Sequence, residues 1–229
     1  MVDLFLGRNK IIMNISKVSA FIIPGKNGEI ARASLQITSM LDVKKSETIV
    51  IPNSTHKIET KIIKKIKHIK LLKINPALRP VEIMTSVHKA ASEEIIIFFD
   101  GNASINSMNL LKIFEAYKAR PKAVYCSALK NIGDIEGFVY GSRFSENGEK
   151  KPIISDEKRI GTSNIECLQY GCIIFPKKIL SEISYNKPCS CIEEVSHRIT
   201  ETGNSIYCVN ESFISYKGLI NLGIEVKNV

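Results

Sequence analysis

The run Glu94-Ile95-Ile96-Ile97-Phe98-Phe99 limits the fold more than any other stretch of the chain. It has no polar alternation, so a strand built from it must be covered on both faces. That places it in the middle of a parallel sheet packed between helices. It stops abruptly at Asp100-Gly101-Asn102, a turn-forming sequence.

The rest of the first half agrees with such a sheet. Residues 18–23 form a short apolar run ended by Pro24-Gly25, read as a buried strand and a turn. Asn27 is placed to cap a helix on which Ile30, Ala33, Ile37 and Leu41 recur at helical spacing. Residues 48–51 read as a second strand stopped by Pro52-Asn53-Ser54, residues 56–66 as a helix, and residues 69–72 as a third strand. Pro80 suits the first turn of a helix that turns Ile83, Val87 and Ala91 inward. A further helix at 107–118 buries Leu110, Ile113, Phe114 and Tyr117.

After Pro121 the pattern changes. Residues 123–127, 137–140, 168–175 and 205–209 read as strands, and residues 145–164 as polar loop. Helices are expected at 177–184 and 191–202, the second stopped by Gly203. The fold class is therefore α/β: a single domain over residues 1–229 with a mostly parallel mixed sheet and helices on both faces. Residues 1–15 are read as an N-terminal extension, followed by one half over 18–120 and a second over 121–210. Ligands on such sheets bind at the carboxyl ends of the strands. This selects the loops at Pro24–Asn27, Pro52–Thr55 and Asp100–Asn102.

Composition removes several alternatives. Hydrophobic residues make up 44% and charged residues 24%, which excludes a disordered chain. No apolar run reaches the length of a membrane span, and no signal peptide is read at the N-terminus, so a cytoplasmic protein is expected. Its six cysteines are then reduced thiols. The net charge of +9 favours anionic partners, but no nucleic-acid motif accompanies it, and no nucleic-acid partner is expected. The densest basic run, Lys61 to Lys67 with Lys70 and Lys73, reads as a solvated helix face or as a peripheral contact with an anionic membrane.

The order of these motifs resembles family 2 glycosyltransferases. Ile23-Pro24-Gly25-Lys26-Asn27-Gly28-Glu29 is similar to their opening strand and loop, and residues 47–55 to their second strand. Residues 90–102 are similar to the helix, turn and strand that carry their Asp-x-Asp motif. Residues 170–177 resemble their acceptor-side strand, and Arg198 and Gly203 the end of their last motif. The resemblance covers residues 18–210 and implies an A-type nucleotide-sugar transferase fold, with 18–120 as its nucleotide-binding half and 121–210 as its acceptor-side half. It implies Pro24, Asn27, Glu29, Asn53 and Asp100 around the nucleotide, and Asp100 and Asn102 on a divalent cation, Mn or Mg. The implied partners are a nucleotide-sugar donor and a glycan, lipid-linked or small-molecule acceptor.

An inverting transferase needs a carboxylate base. Alignment on Arg198 and Gly203 puts Cys191 and Ile192 at the acidic positions, and a two-residue slip supplies Glu193 or Glu194. His197 is an alternative base. Pro52 stands where the family keeps a base-binding Asp, and Met84 and Thr85 where it keeps an Arg and an Asn. These departures leave open a degenerate binding domain without chemistry. A nucleotidyltransferase ranks third, since only Gly25-Lys26-Asn27-Gly28 offers a Gly-rich basic loop.

Overall fold

The structure, a computed structural model, describes residues 15, 17–23, 29–52, 57–74, 80–132, 135–147, 149–183 and 191–216. The first half alternates strand and helix: β1 (Val18–Ile23), α1 (Ile30–Met40), β2 (Glu47–Val50), α2 (Lys57–Ile63), β3 (Ile69–Leu71), α3 (Pro80–Ala90) and β4 (Ile95–Asp100). A two-residue strand, β5 (Ala103–Ser104), precedes α4 (Ser107–Ala119). The second half holds β6 (Val124–Ile132), β7 (Ile135–Phe144), β8 (Lys150–Ser155), β9 (Thr162–Asn164), β10 (Cys172–Pro176), α5 (Lys177–Glu182), α6 (Ile192–Glu201) and β11 (Ile206–Tyr216).

All strands join one sheet in the order β3-β2-β1-β4-β10-β6-β11-β5, with β7 and β8 branching from β6, and β9 from β11. The four leading strands are parallel, as is the β6–β11 pair, while β10 runs against both β4 and β6.

The absence of polar alternation in β4 has the expected cause. Ile97 and Phe99 enter one core with α1 and α4, while Ile96 and Phe98 enter a second with α3, α5 and α6. Period two along a strand guarantees this division. Phe98 meets Phe175 edge to face at 5.4 Å between centroids. The helical spacing read from the sequence is the buried stripe: Ile30, Ala33 and Ile37 on α1, and Leu110, Ile113, Phe114 and Tyr117 on α4.

Four expectations need correction. Residues 145–164 are not a continuous loop but hold β8 and β9. β8 pairs only with β7 and is buried on neither face along its length, so no apolar alternation marked it. The strand read over 168–175 starts at Cys172, and the one read over 205–209 continues to Tyr216 through a register shift between Val209 and Phe213. The N-cap position of α1 is Glu29 rather than Asn27, which lies outside the described residues. Gly203 does end α6, with a φ of +77°.

Lys61, Lys64, Lys65 and Lys67 are exposed around a buried Ile63, so the basic run is a solvated surface. No helix among the described residues is long and apolar enough to cross a membrane. Cys126, Cys167, Cys172 and Cys208 are buried free thiols.

The amino edge of the parallel strands is fastened by one carboxylate. Glu47, 8% exposed, accepts from the Ser19 hydroxyl on β1 at 2.5 Å and from the Ser92 N–H and hydroxyl before β4 at 2.7 and 2.8 Å. Lys70 on β3 donates to its other oxygen at 2.8 Å. Burial alone would raise the pKa, but these donors outweigh it and hold Glu47 at about 2 against an ordinary 4.5. The folded value is the lower one, so the stabilisation is present above pH 4.5 and disappears as the pH falls through 2. It amounts to at most about 3 kcal/mol, because the share from the 68% exposed Lys70 is screened. Glu47→Gln is expected to lower urea-unfolding stability at pH 7 by about 2 kcal/mol. The gap from the parent should narrow at pH 3, and an equal gap at both pH values would contradict this account.

Candidate active site at the carboxyl edge

The chain leaves β1 toward β2 and β3, then returns on the other side of β1 as β4. The carboxyl ends of β1 and β4 therefore flank a topological switch point, where sheets of this kind bind ligands. Ile23 and Asp100 are register partners there. The Gly101 N–H donates to the Ile23 carbonyl, and the Asp100 N–H to the Gly171 carbonyl, both at 2.8 Å. The Asn102 N–H donates to Asp100 Oδ1 at 2.8 Å, closing an Asx turn that sets the carboxylate at the strand tip.

Because β10 is antiparallel to β4, the residues before β10 lie at this same edge. Gly171 carries a φ of +120°, and a Cβ on it would meet Leu129 Cδ2 at 3.1 Å. Only glycine suits that backbone. Tyr170, directly before it, is 39% exposed. Loss of water pushes its hydroxyl up to about 12, and the negative fields of Glu193, Cys191, Asp100 and Cys167 act in the same direction. Residues from three separate segments thus act on a single phenol.

Glu193 lies in the first turn of α6. Its Oε1 accepts from Lys150 Nζ at 2.5 Å, with side-chain exposures of 27% and 12%. Burial would raise the Glu193 pKa. The Lys150 ammonium, the backbone N–H at the helix start and the Cys191 thiol outweigh it, and the net shift is downward. Burial pushes the Cys167 thiol up to about 11, against the lowering field of Lys150.

The expected site residues separate as follows. Asp100 stands at the edge, and its charge and that of Glu193 both act on Tyr170. Glu194 is exposed on the same helical turn. Asn102 is 3% exposed, so its amide lies inside the turn rather than at the surface. Glu29 pairs with Arg32 Nε at 2.5 Å, and Arg32 Nη2 donates to the Ala103 carbonyl at 3.3 Å, tying the start of α1 to β5. Pro24, Asn27 and Asn53 lie outside the described residues. Met84 is a core residue, 5% exposed, and Ile192 likewise. His197 is 70% exposed and pairs with Glu201 at 3.3 Å, which places it on the outer side of α6 and argues against its use as a base.

Sequence reasoning missed Lys150, Arg32 and the role of Tyr170. The Tyr170-Gly171 step before an apolar run was a usable signal. Nothing local marked Lys150, whose contact exists only through tertiary structure.

No protein-family model and no curated protein matches the sequence. Solved structures do. One is the crystal structure of GalNAc-T7 with UDP, GalNAc and Mn2+, with a TM-score of 0.67 and 12% identity over 88% of this chain. The match spans 44% of that chain. At that identity the likeness carries the fold, an A-type glycosyltransferase-like α/β domain, and leaves the narrower family 2 resemblance without sequence support.

Removing the Lys150 ammonium leaves burial as the dominant influence on Glu193. In Lys150→Met, the Glu193 pKa is expected to rise above its parent value, as followed by NMR titration of the carboxyl carbon. A pKa unchanged or lowered by the substitution would contradict the pairing.

Proposed function

We propose that the chain transfers a sugar from a nucleotide diphosphate to an acceptor hydroxyl, with inversion at the anomeric carbon. The observation that supports this reading is the place of Asp100 at the switch-point edge of an A-type fold, with the charges of Asp100 and Glu193 both acting on Tyr170 beside it. The nucleotide would lie over the ends of β1 and β2, reaching Pro24, Asn27 and Asn53. Glu29, with Arg32, would hold the start of α1 beside it. Asp100 offers a hard-oxygen donor, half-buried at the strand tip, and one carboxylate with substrate phosphates is a common set for Mg or Mn. Asp100 would hold such a cation together with the diphosphate, and the cation would supply positive charge against the leaving group. The Asn102 backbone N–H orients the Asp100 carboxylate, and the Asn102 amide oxygen would be the second ligand of the pair.

Glu193 is the base in this reading. Its carboxylate takes the acceptor hydroxyl proton as the oxygen attacks the anomeric carbon and the carbon–phosphate oxygen bond breaks. The Lys150 pair keeps Glu193 ionised well below neutral pH and fixes its orientation. The same pair also weakens it as a base, and that favours a second reading: a nucleotide-sugar or glycan-binding domain without turnover.

UDP-sugars come first among donors, since the similar solved structure holds UDP. A panel of UDP-, GDP- and TDP-sugars with manganese, read by released nucleoside diphosphate, is expected to show turnover with one donor class. Asp100→Ala and Glu193→Gln should each lower it by about 100-fold or more with the fold retained. Unchanged turnover in Asp100→Ala would remove Asp100 from the mechanism. Thermal stabilisation by a donor without turnover supports the second reading, and no response to any donor rejects both.

A further inference from the structure

Past the crevice, a hollow of about 340 Å³ opens where β5, β6 and β11 end beside the start of α4. Its wall is built by strand register. Ser104 on β5 pairs with Ser215 on β11, Ser215 with Lys130 on β6, and Lys130 with Phe138 on β7. Directly opposed residues share a face, so two hydroxyls, an ammonium and a ring project from four neighbouring strands on one side of the sheet. Lys158 enters from the segment between β8 and β9. The Phe138 and Phe213 rings lie 4.6 Å apart, with Lys130 Nζ 5.9 Å from the first centroid and Lys158 Nζ 5.9 Å from the second. Two positive charges thus bracket one aromatic wall, and neither pairs with a carboxylate among the described residues.

Two like charges drawn to one concave surface repel, and a bound anion reverses that penalty. The hydroxyls and the Asn109 amide suit a polyhydroxylated body, and the ring pair suits the apolar face of a sugar. Ser104 follows Asp100 by four residues, which limits their separation to about 14 Å. From this we infer that the hollow binds the anionic group of a charged saccharide, a sugar phosphate or a sugar carboxylate, that serves as the acceptor. The acceptor role rests on the transferase reading; the binding itself does not.

Calorimetric titration of the full chain with glucose 6-phosphate, glucuronate and glucose tests it. Binding of either anionic sugar, lost at high salt and absent for glucose, is expected. Binding of the phosphate alone or of the carboxylate alone identifies the source of the charge. Lys130→Gln with Lys158→Gln should weaken that binding about tenfold or more while donor binding and donor hydrolysis stay unchanged. Equal affinity in the double variant, or no binding of either anionic sugar to the parent, overturns the site. If the anionic sugar binds but no donor binds or turns over, the acceptor role falls with the transferase reading and the anion site stands.

Discussion

The direction of β10 decides what this fold can do. Because β10 runs against β4, its first residues lie where β4 ends, and the chain that precedes it closes over the carboxyl edge. The Gly171 carbonyl takes the Asp100 N–H at that junction. Had β10 been parallel, Tyr170 would stand at the opposite edge, a full strand length from the aspartate. The α6 helix depends on the same reversal, since it follows β10 through α5 and covers the face on which Ile192, Val195 and Ile199 are buried. Glu193 faces Lys150 from the flank of α6 because Ile192 beside it is anchored in the core. Site geometry and core packing are therefore consequences of one pairing.

Opposite demands are met at the two edges of the parallel strands. At the amino edge Glu47 is saturated with donors from three neighbouring elements, and its charge is fully used in holding them together. At the carboxyl edge the carboxylates raise the proton affinity of a tyrosine and remain partly open to solvent. The saturated and the partly open carboxylates are thereby separated by the length of the strands.

The sequence was most legible where burial is two-sided or strongly periodic. The β4 run, the α1 and α4 stripes and the Gly203 stop follow from burial and backbone rules that act locally. β5 and β9 have two and three residues, too few for any period to show. β8 is an outer strand whose sequence, Lys-Lys-Pro-Ile-Ile-Ser, has no alternation. The site was legible in part for the same reason. Asp100 is announced by the strand before it, whereas Glu193 and Glu194 stood side by side as alternatives until the Lys150 contact set Glu193 apart. Lys150 was out of reach, because its position is decided by how a hairpin folds back onto α6. The loops bearing Pro24, Asn27 and Asn53 lie outside the described residues.

The hairpin of β7 and β8 deserves a final deduction. β8 touches the sheet through β7 alone, yet it delivers the cation that governs the acidity of Glu193. An appendage of this kind can drift, lengthen or be exchanged between homologous chains while the strands beneath it stay in place. Changes confined to the hairpin would in this way retune the acidity of Glu193 without disturbing the strands of the main sheet.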